Sequence, residues 1–123
     1  MEKGNNGYKD LIVWQKSMDL VVLVYRLTDL FPKSELFGLT SQMRRAAISV
    51  PSNIAEGSRR KTPKDKCHFY TLSFGSASEL ETQLEAGKRL TFGDTPSYEP
   101  VESLLSEVLK MLNKMIGNSE YGY

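Results

Sequence analysis

The feature that most constrains what this chain can fold into is the stretch Gly38 to Gly57, GLTSQMRRAAISVPSNIAEG. Read on a helix, Leu39, Met43, Ala46 and Ala47, Val50 and Ile54 recur at steps of three and four. They make one apolar seam of about five turns, and a seam of that kind faces a core. Rotated away from it, Gln42, Arg45, Ser49, Ser52, Asn53 and Glu56 form a second stripe in which every side chain can hydrogen-bond. Such a stripe meets water or another polar surface. Pro51 lacks a backbone N–H and its ring presses on the carbonyl of Ala47, a cost of about 3 kcal/mol in a helix interior, so a kink or a break is expected there. Gly57 is expected to let the helix fray into Ser58-Arg59-Arg60-Lys61.

Three more helices are expected around this one, near 11–30, 63–90 and 98–116, with the central helix at 39–58. In the first, Asp10 is a plausible N-cap. Leu11, Trp14, Met18, Val21 and Tyr25 make one apolar line, and Leu20, Leu23 and Val24, Leu27 and Phe31 make another, more than a hundred degrees away. A helix of a monomeric bundle needs only one apolar stripe, so the surplus points to a surface between subunits. Thr62-Pro63-Lys64-Asp65 is a strong start signal for the third helix, a capping threonine followed by proline at the first helical position. Its small residues Gly75, Ser76, Ala77 and Ser78 fall mid-helix, where a neighbouring backbone can approach. Gly75 and Gly87 each cost about 1 kcal/mol in helix propensity against alanine, so packing is expected to compensate. Ser97 can cap the last helix, Pro100 is tolerated in its first turn, and Gly117 is the expected stop. The predicted fold is therefore all-α, an antiparallel up-down four-helix bundle at 8–117, with tails at 1–7 and 118–123.

At 123 residues the chain fits one compact domain. Its longest apolar run near the amino end, Leu20 to Tyr25, falls far short of the roughly 20 residues that span a bilayer, and Met1 to Lys9 contains no signal-like segment. No membrane association is expected. The single cysteine, Cys67, allows no intrachain disulfide, so the cytoplasm is the expected compartment. Net charge is only +1, yet it is polarised along the chain. Residues 44–66 carry Arg44, Arg45, Arg59, Arg60, Lys61, Lys64 and Lys66 against Glu56 and Asp65, whereas 79–102 carry Glu79, Glu81, Glu85, Asp94, Glu99 and Glu102 against Lys88 and Arg89. Polarity of this kind serves either head-to-tail association of subunits or an anionic partner at one end.

No constellation in the chain carries catalysis. Asp65 and His68 stand at i and i+3 like one ligand pair of a di-metal bundle, but a chain with one histidine cannot supply the second pair, so no metal and no cofactor is expected. Cys67 and His68 are consecutive on a helix and point about 100° apart, which is no catalytic dyad. The glycines form no phosphate-cradling loop, and Glu79, Glu81 and Glu85 have no opposing partner that sequence identifies. The best nucleic-acid candidates are Arg59, Arg60, Lys61, Lys64 and Lys66, on a linker and a helix entry from which they can neutralise phosphates. The bland alternative is a solvated linker.

The run FGLTSQMRRAAISVPSNIAEG, preceded by YKDLIVWQKS at Tyr8 to Ser17 and followed by FGSASELETQLE at Phe74 to Glu85, resembles the small four-helix-bundle proteins encoded within intervening sequences of 23S ribosomal RNA genes. The resemblance covers about residues 8–116, with the three blocks in the family's order and spacing. It implies a ring-shaped homopentamer without enzymatic activity. Relatives of that family include the accessory variability determinant of diversity-generating retroelements, which adds RNA or DNA, and a reverse transcriptase, as implied partners. Two functions from different classes follow: an oligomeric nucleic-acid-binding accessory protein, or a structural oligomer and interaction scaffold that binds nothing anionic. Trp14, Arg44, Arg45, Pro51, Asn53, Glu56, Glu79 and Glu81 are read as structural or interface residues. The second apolar face of helix one and the Pro51 region are the expected subunit contact, and Glu79 and Glu81 are the expected partners of Arg45.

Overall fold

The computed structural model describes residues 7–120, and all of its long elements are helices. They are α1 (Ile12–Thr28), α2 (Leu39–Ser58), α3 (Pro63–Arg89) and α4 (Tyr98–Glu120), with short 3-10 turns at Gly7–Asp10, Lys33–Glu35 and Thr95–Ser97. Each helix packs on its neighbours in chain order and α4 closes back on α1. Cross-helix contacts give the directions. Ser73 Oγ donates to the Val50 carbonyl at 2.8 Å while Ser49 lies against Ser76, so α2 and α3 run antiparallel. Cys67 lies beside Ile116 at one end of α3 and Lys88 beside Glu102 at the other, so α3 and α4 do as well.

The apolar periodicity explains this packing. The core joins Leu20, Val24 and Leu27 of α1, Met43, Ala47, Val50 and Ile54 of α2, Leu80 and Leu84 of α3, and Val101, Leu105, Val108 and Leu112 of α4. These side chains are almost wholly removed from water. At about 25 cal/mol per Å² of apolar surface, such burial is the main drive to fold. The other apolar line of α1 stays at the surface: Met18 and Tyr25 are exposed, and Trp14 and Val21 are half-buried.

The helix ends depart from the sequence expectations in three places here. Asp10 does not cap α1; it ends the 3-10 turn closed by Leu11 N–H on the Tyr8 carbonyl, and Leu11 takes the cap position without a side-chain bond. Asp94, not Ser97, caps the turn before α4, accepting the Ser97 N–H at 3.1 Å. Helix α4 continues past Gly117, with Ser119 buried, up to Glu120. Of the two expected tails, only Gly7 and residues 118–120 lie within the described residues. Of the kink or break expected at Pro51, the break does not occur: α2 runs continuously through it. The proline is buried beside Trp14 and Met18, and the neighbouring Val50 carbonyl is braced by Ser73, so packing outweighs the missing hydrogen bond. The threonine cap of α3 is as expected, with Asp65 N–H donating to Thr62 Oγ1 at 3.1 Å.

Gly57 does not fray either. It is buried near the end of α2, and a Cβ there would stand 2.6 Å from the Tyr70 ring, so α2 and α3 approach closely at this corner because the residue has no side chain. Gly87 plays the same part at the other end of α3, beneath Tyr98 and Phe31. The compensation expected for Gly75 is absent: a Cβ there would meet nothing within 4 Å.

Candidate nucleic-acid interface

The corner where α2 hands over to α3 collects the basic residues. Arg59 and Arg60 follow from α2, Lys61 from the linker, and Lys64 and Lys66 from the first turn of α3. Three of the five are held in place. The Arg59 guanidinium sits over the Tyr8 ring at 5.2 Å, which brings the turn before α1 to the corner. Arg60 lies over Phe69 at 4.5 Å and pairs with Glu56 one turn back on α2. Lys66 Nζ donates to the Ser58 carbonyl at 3.0 Å, a cation at the carboxy end of α2 where the helix dipole favours it.

Lys61 and Lys64 are exposed and form no ion pair among the described residues. The corner thus offers two unengaged ammonium groups and the open edge of Arg59, while Arg60 is largely neutralised by Glu56. Stacking on aromatic rings orients a guanidinium without consuming its N–H groups, which leaves them for an anion. Tyr8 and Phe69 were not singled out by sequence as partners of these arginines. Their signal is an aromatic within reach of a basic run, which becomes informative only once the topology is known.

The paired arginines of α2 separate as their 100° divergence requires. Arg44 turns toward α1. Its Nε donates to Thr28 Oγ1 and its Nη2 to Asp29 Oδ1, both at 2.9 Å, and its plane lies 4.4 Å from the Tyr25 ring centroid. Arg45 turns the other way and is exposed. Within one chain the ion pair expected with Glu79 or Glu81 does not form: Arg45 and Glu79 line one groove without pairing, and Glu81 is exposed and unpaired among the described residues. Arg45 is a flexible side chain opposite a carboxylate at a wet surface, where such a pair gains about 0–1 kcal/mol.

Asn53 closes a small polar seam between α2 and α3, donating to Ser49 Oγ at 3.0 Å, with Ser49 in turn 2.8 Å from Ser76. Small hydroxyl side chains let the two helices approach. On the opposite side of α2, Tyr8, Trp14, Met18, Val21, Ile48, Pro51, Ser52 and Ala55 line a shallow apolar groove of about 400 Å³. Trp14 stands edge-on to Tyr8, 5.3 Å between centroids.

His68 is exposed and edge-on to Phe69, and Cys67 is half-buried against α4. Among the described residues no three His, Cys, Asp or Glu side chains gather to hold a metal ion. No helix is long and apolar enough to cross a membrane among those residues. Two phenols are shifted: burial raises the pKa of Tyr70, and burial together with the nearby Glu102 charge pushes Tyr98 up to about 12.

No curated protein matches the chain. A crystal structure of a protein of unknown function from the S23 ribosomal protein family of Bacteroides thetaiotaomicron superposes with a TM-score of 0.76 at 24% identity, over 85% of this chain and 98% of that one. That likeness speaks for the four-helix fold. A family model described as 23S rRNA-intervening sequence protein matches residues 9–114, nearly the whole folded unit, and the chain belongs to that family.

Proposed function

We propose that this protein is a non-enzymatic nucleic-acid-binding accessory protein that works as a homo-oligomer, a pentamer by family resemblance. The observation that carries the reading is the α2–α3 corner, where Lys61 and Lys64 project without acidic partners beside an Arg59 held over Tyr8. A few cations per chain bind phosphate weakly, and repeating them around a ring multiplies the effect. In this reading the ring closes through the apolar groove of α1 and α2, which Trp14, Met18 and Ile48 line in each copy. An RNA or DNA strand is the partner, with a reverse transcriptase as the protein partner that the family's relatives suggest. The cytoplasm is its place of action.

Electrophoretic mobility shift with structured RNA and duplex DNA, at low and moderate salt, tests this. The native protein should retard both, more strongly at low salt. The variant with Arg59, Arg60 and Lys61 exchanged for glutamine should keep its native mass and lose retention. A protein that keeps its oligomer and retards neither nucleic acid is a scaffold whose basic and acidic ends pair between copies.

A further inference from the structure

Phe37 is 93% exposed, the most exposed of the large apolar side chains among the described residues. It sits in the turn before α2, at the mouth of a groove of about 490 Å³ between α2 and α3. The other walls are polar: Ser41, Gln42, Arg45, Ser49, Ser76 and Glu79. Arg45 is the cation of this groove and has no ion pair among the described residues. One heptad beyond Ser76 on the same face of α3 is Gln83, which is buried and whose Oε1 receives no hydrogen bond from the described residues.

We infer that this groove seats one unpaired nucleotide of a nucleic-acid strand, its base stacked on Phe37 and its phosphate on Arg45. The aromatic face is the platform that unpaired bases use, and it accepts any base because every base has a π-face. Arg45 supplies the fork of donors that suits a phosphate. Gln42 and Ser41 can donate to and accept from base edges, and the Glu79 carboxylate accepts from a base N–H while disfavouring a second phosphate. A protein contact fits less well, since the middle of a subunit interface is depleted of charge and rich in apolar side chains, and here Phe37 and Ala46 are the only apolar members.

The groove opens onto the polar stripe of α2 that leads to the basic corner. Arg45, Ser49, Asn53, Glu56 and Arg60 follow one another at steps of three and four on one face, with Arg60 fifteen residues from Arg45, about 22 Å at 1.5 Å per residue. Ser49 and Asn53 of this stripe are hydrogen-bonded to each other, and Ser49 lies against Ser76. A strand held by phosphates at the corner therefore reaches the groove within a few nucleotides, and the protein prefers unpaired over duplex nucleic acid. This rests on the nucleic-acid reading above for the class of ligand and adds where and in what form that ligand is read.

The test is fluorescence of a single-stranded twelve-nucleotide RNA carrying 2-aminopurine, with a fluorescein-labelled duplex of the same length measured in parallel by anisotropy, on the intact oligomer. The native protein should bind the single strand more tightly and change the 2-aminopurine signal. F37A should weaken the single strand about tenfold and erase that signal change, and R45Q should weaken it to a similar degree. Neither should alter duplex affinity, native mass or melting temperature. Equal losses for both strands, or no loss, overturn the inference while leaving the nucleic-acid reading intact. A fall in native mass for F37A overturns it in favour of a contact between copies. If the native protein binds neither strand, the nucleic-acid reading itself fails and takes this inference with it.

Discussion

Arg44 and Thr28 form a two-step relay between helices: the guanidinium Nε donates to Thr28 Oγ1 at 2.9 Å while that hydroxyl donates its own proton to the Val24 carbonyl at 2.8 Å. The threonine is buried, and its single proton goes to the backbone, so its remaining capacity is to accept. Arg44 thereby satisfies the carboxy end of α1 and fixes the start of α2 against it. The cation also lies where the dipole of α1 is negative.

Arg44→Ala should therefore destabilise the fold by about 1–2 kcal/mol, the range for a charge-assisted hydrogen bond plus lost stacking. Arg45→Ala should change stability by less than about 0.5 kcal/mol, as for an unengaged surface side chain. Urea unfolding of the two variants checks this. Equal losses would contradict the separate placement of the two side chains.

The glycines of α2 and α3 make opposite predictions. Gly57→Ala puts a Cβ 2.6 Å from the buried Tyr70 ring and should cost about 1–3 kcal/mol by overpacking. Gly75→Ala meets nothing and should raise stability by about 0.5–1 kcal/mol through helix propensity and a less free unfolded chain. Thermal melts of the pair give both signs in one experiment. A destabilising Gly75→Ala would show that another copy or a partner packs against that face of α3.

Tyr98 contributes to the loss of stability at alkaline pH. Its hydroxyl donates to the Phe92 carbonyl at 2.9 Å, and burial with the Glu102 charge raises its pKa to about 12. In the unfolded chain the phenol ionises near its ordinary value of about 10. Between these values the folded state keeps a proton that the unfolded state has lost, so stability falls as pH rises from about 10 to about 12 and is unaffected by this group below. Chemical unfolding across that window should show the slope, and Tyr98→Phe should flatten it. An unchanged slope in that variant would assign it to another group.

Much of the bundle was legible in the sequence because its signals are local. The steps of three and four in Gly38 to Gly57 became the buried seam of Met43, Val50 and Ile54, and Thr62-Pro63 became the start of α3. The two apolar lines of α1 divided into a core face and an exposed one, as the surplus required. What was not legible depends on neighbours distant in sequence. Pro51 reads as a kink or break until its burial beside α1 is known, and Gly57 reads as a point of fraying until Tyr70 is seen against it. The site follows the same rule. The basic run is visible as composition, but its stacking on Tyr8 and Phe69, the turning of Arg44 onto Thr28, and the openness of Arg45 are decided by topology.

The most direct test of the central claim is the salt dependence of RNA affinity for the intact oligomer, compared with the variant in which Arg59, Arg60 and Lys61 are glutamine. Each phosphate neutralised contributes about −0.7 to the slope of log K against log salt for a single strand. The account predicts a steep slope for the native protein and a markedly shallower one for the variant, at unchanged native mass. An identical slope and affinity in the variant would contradict it and move phosphate recognition away from the α2–α3 corner.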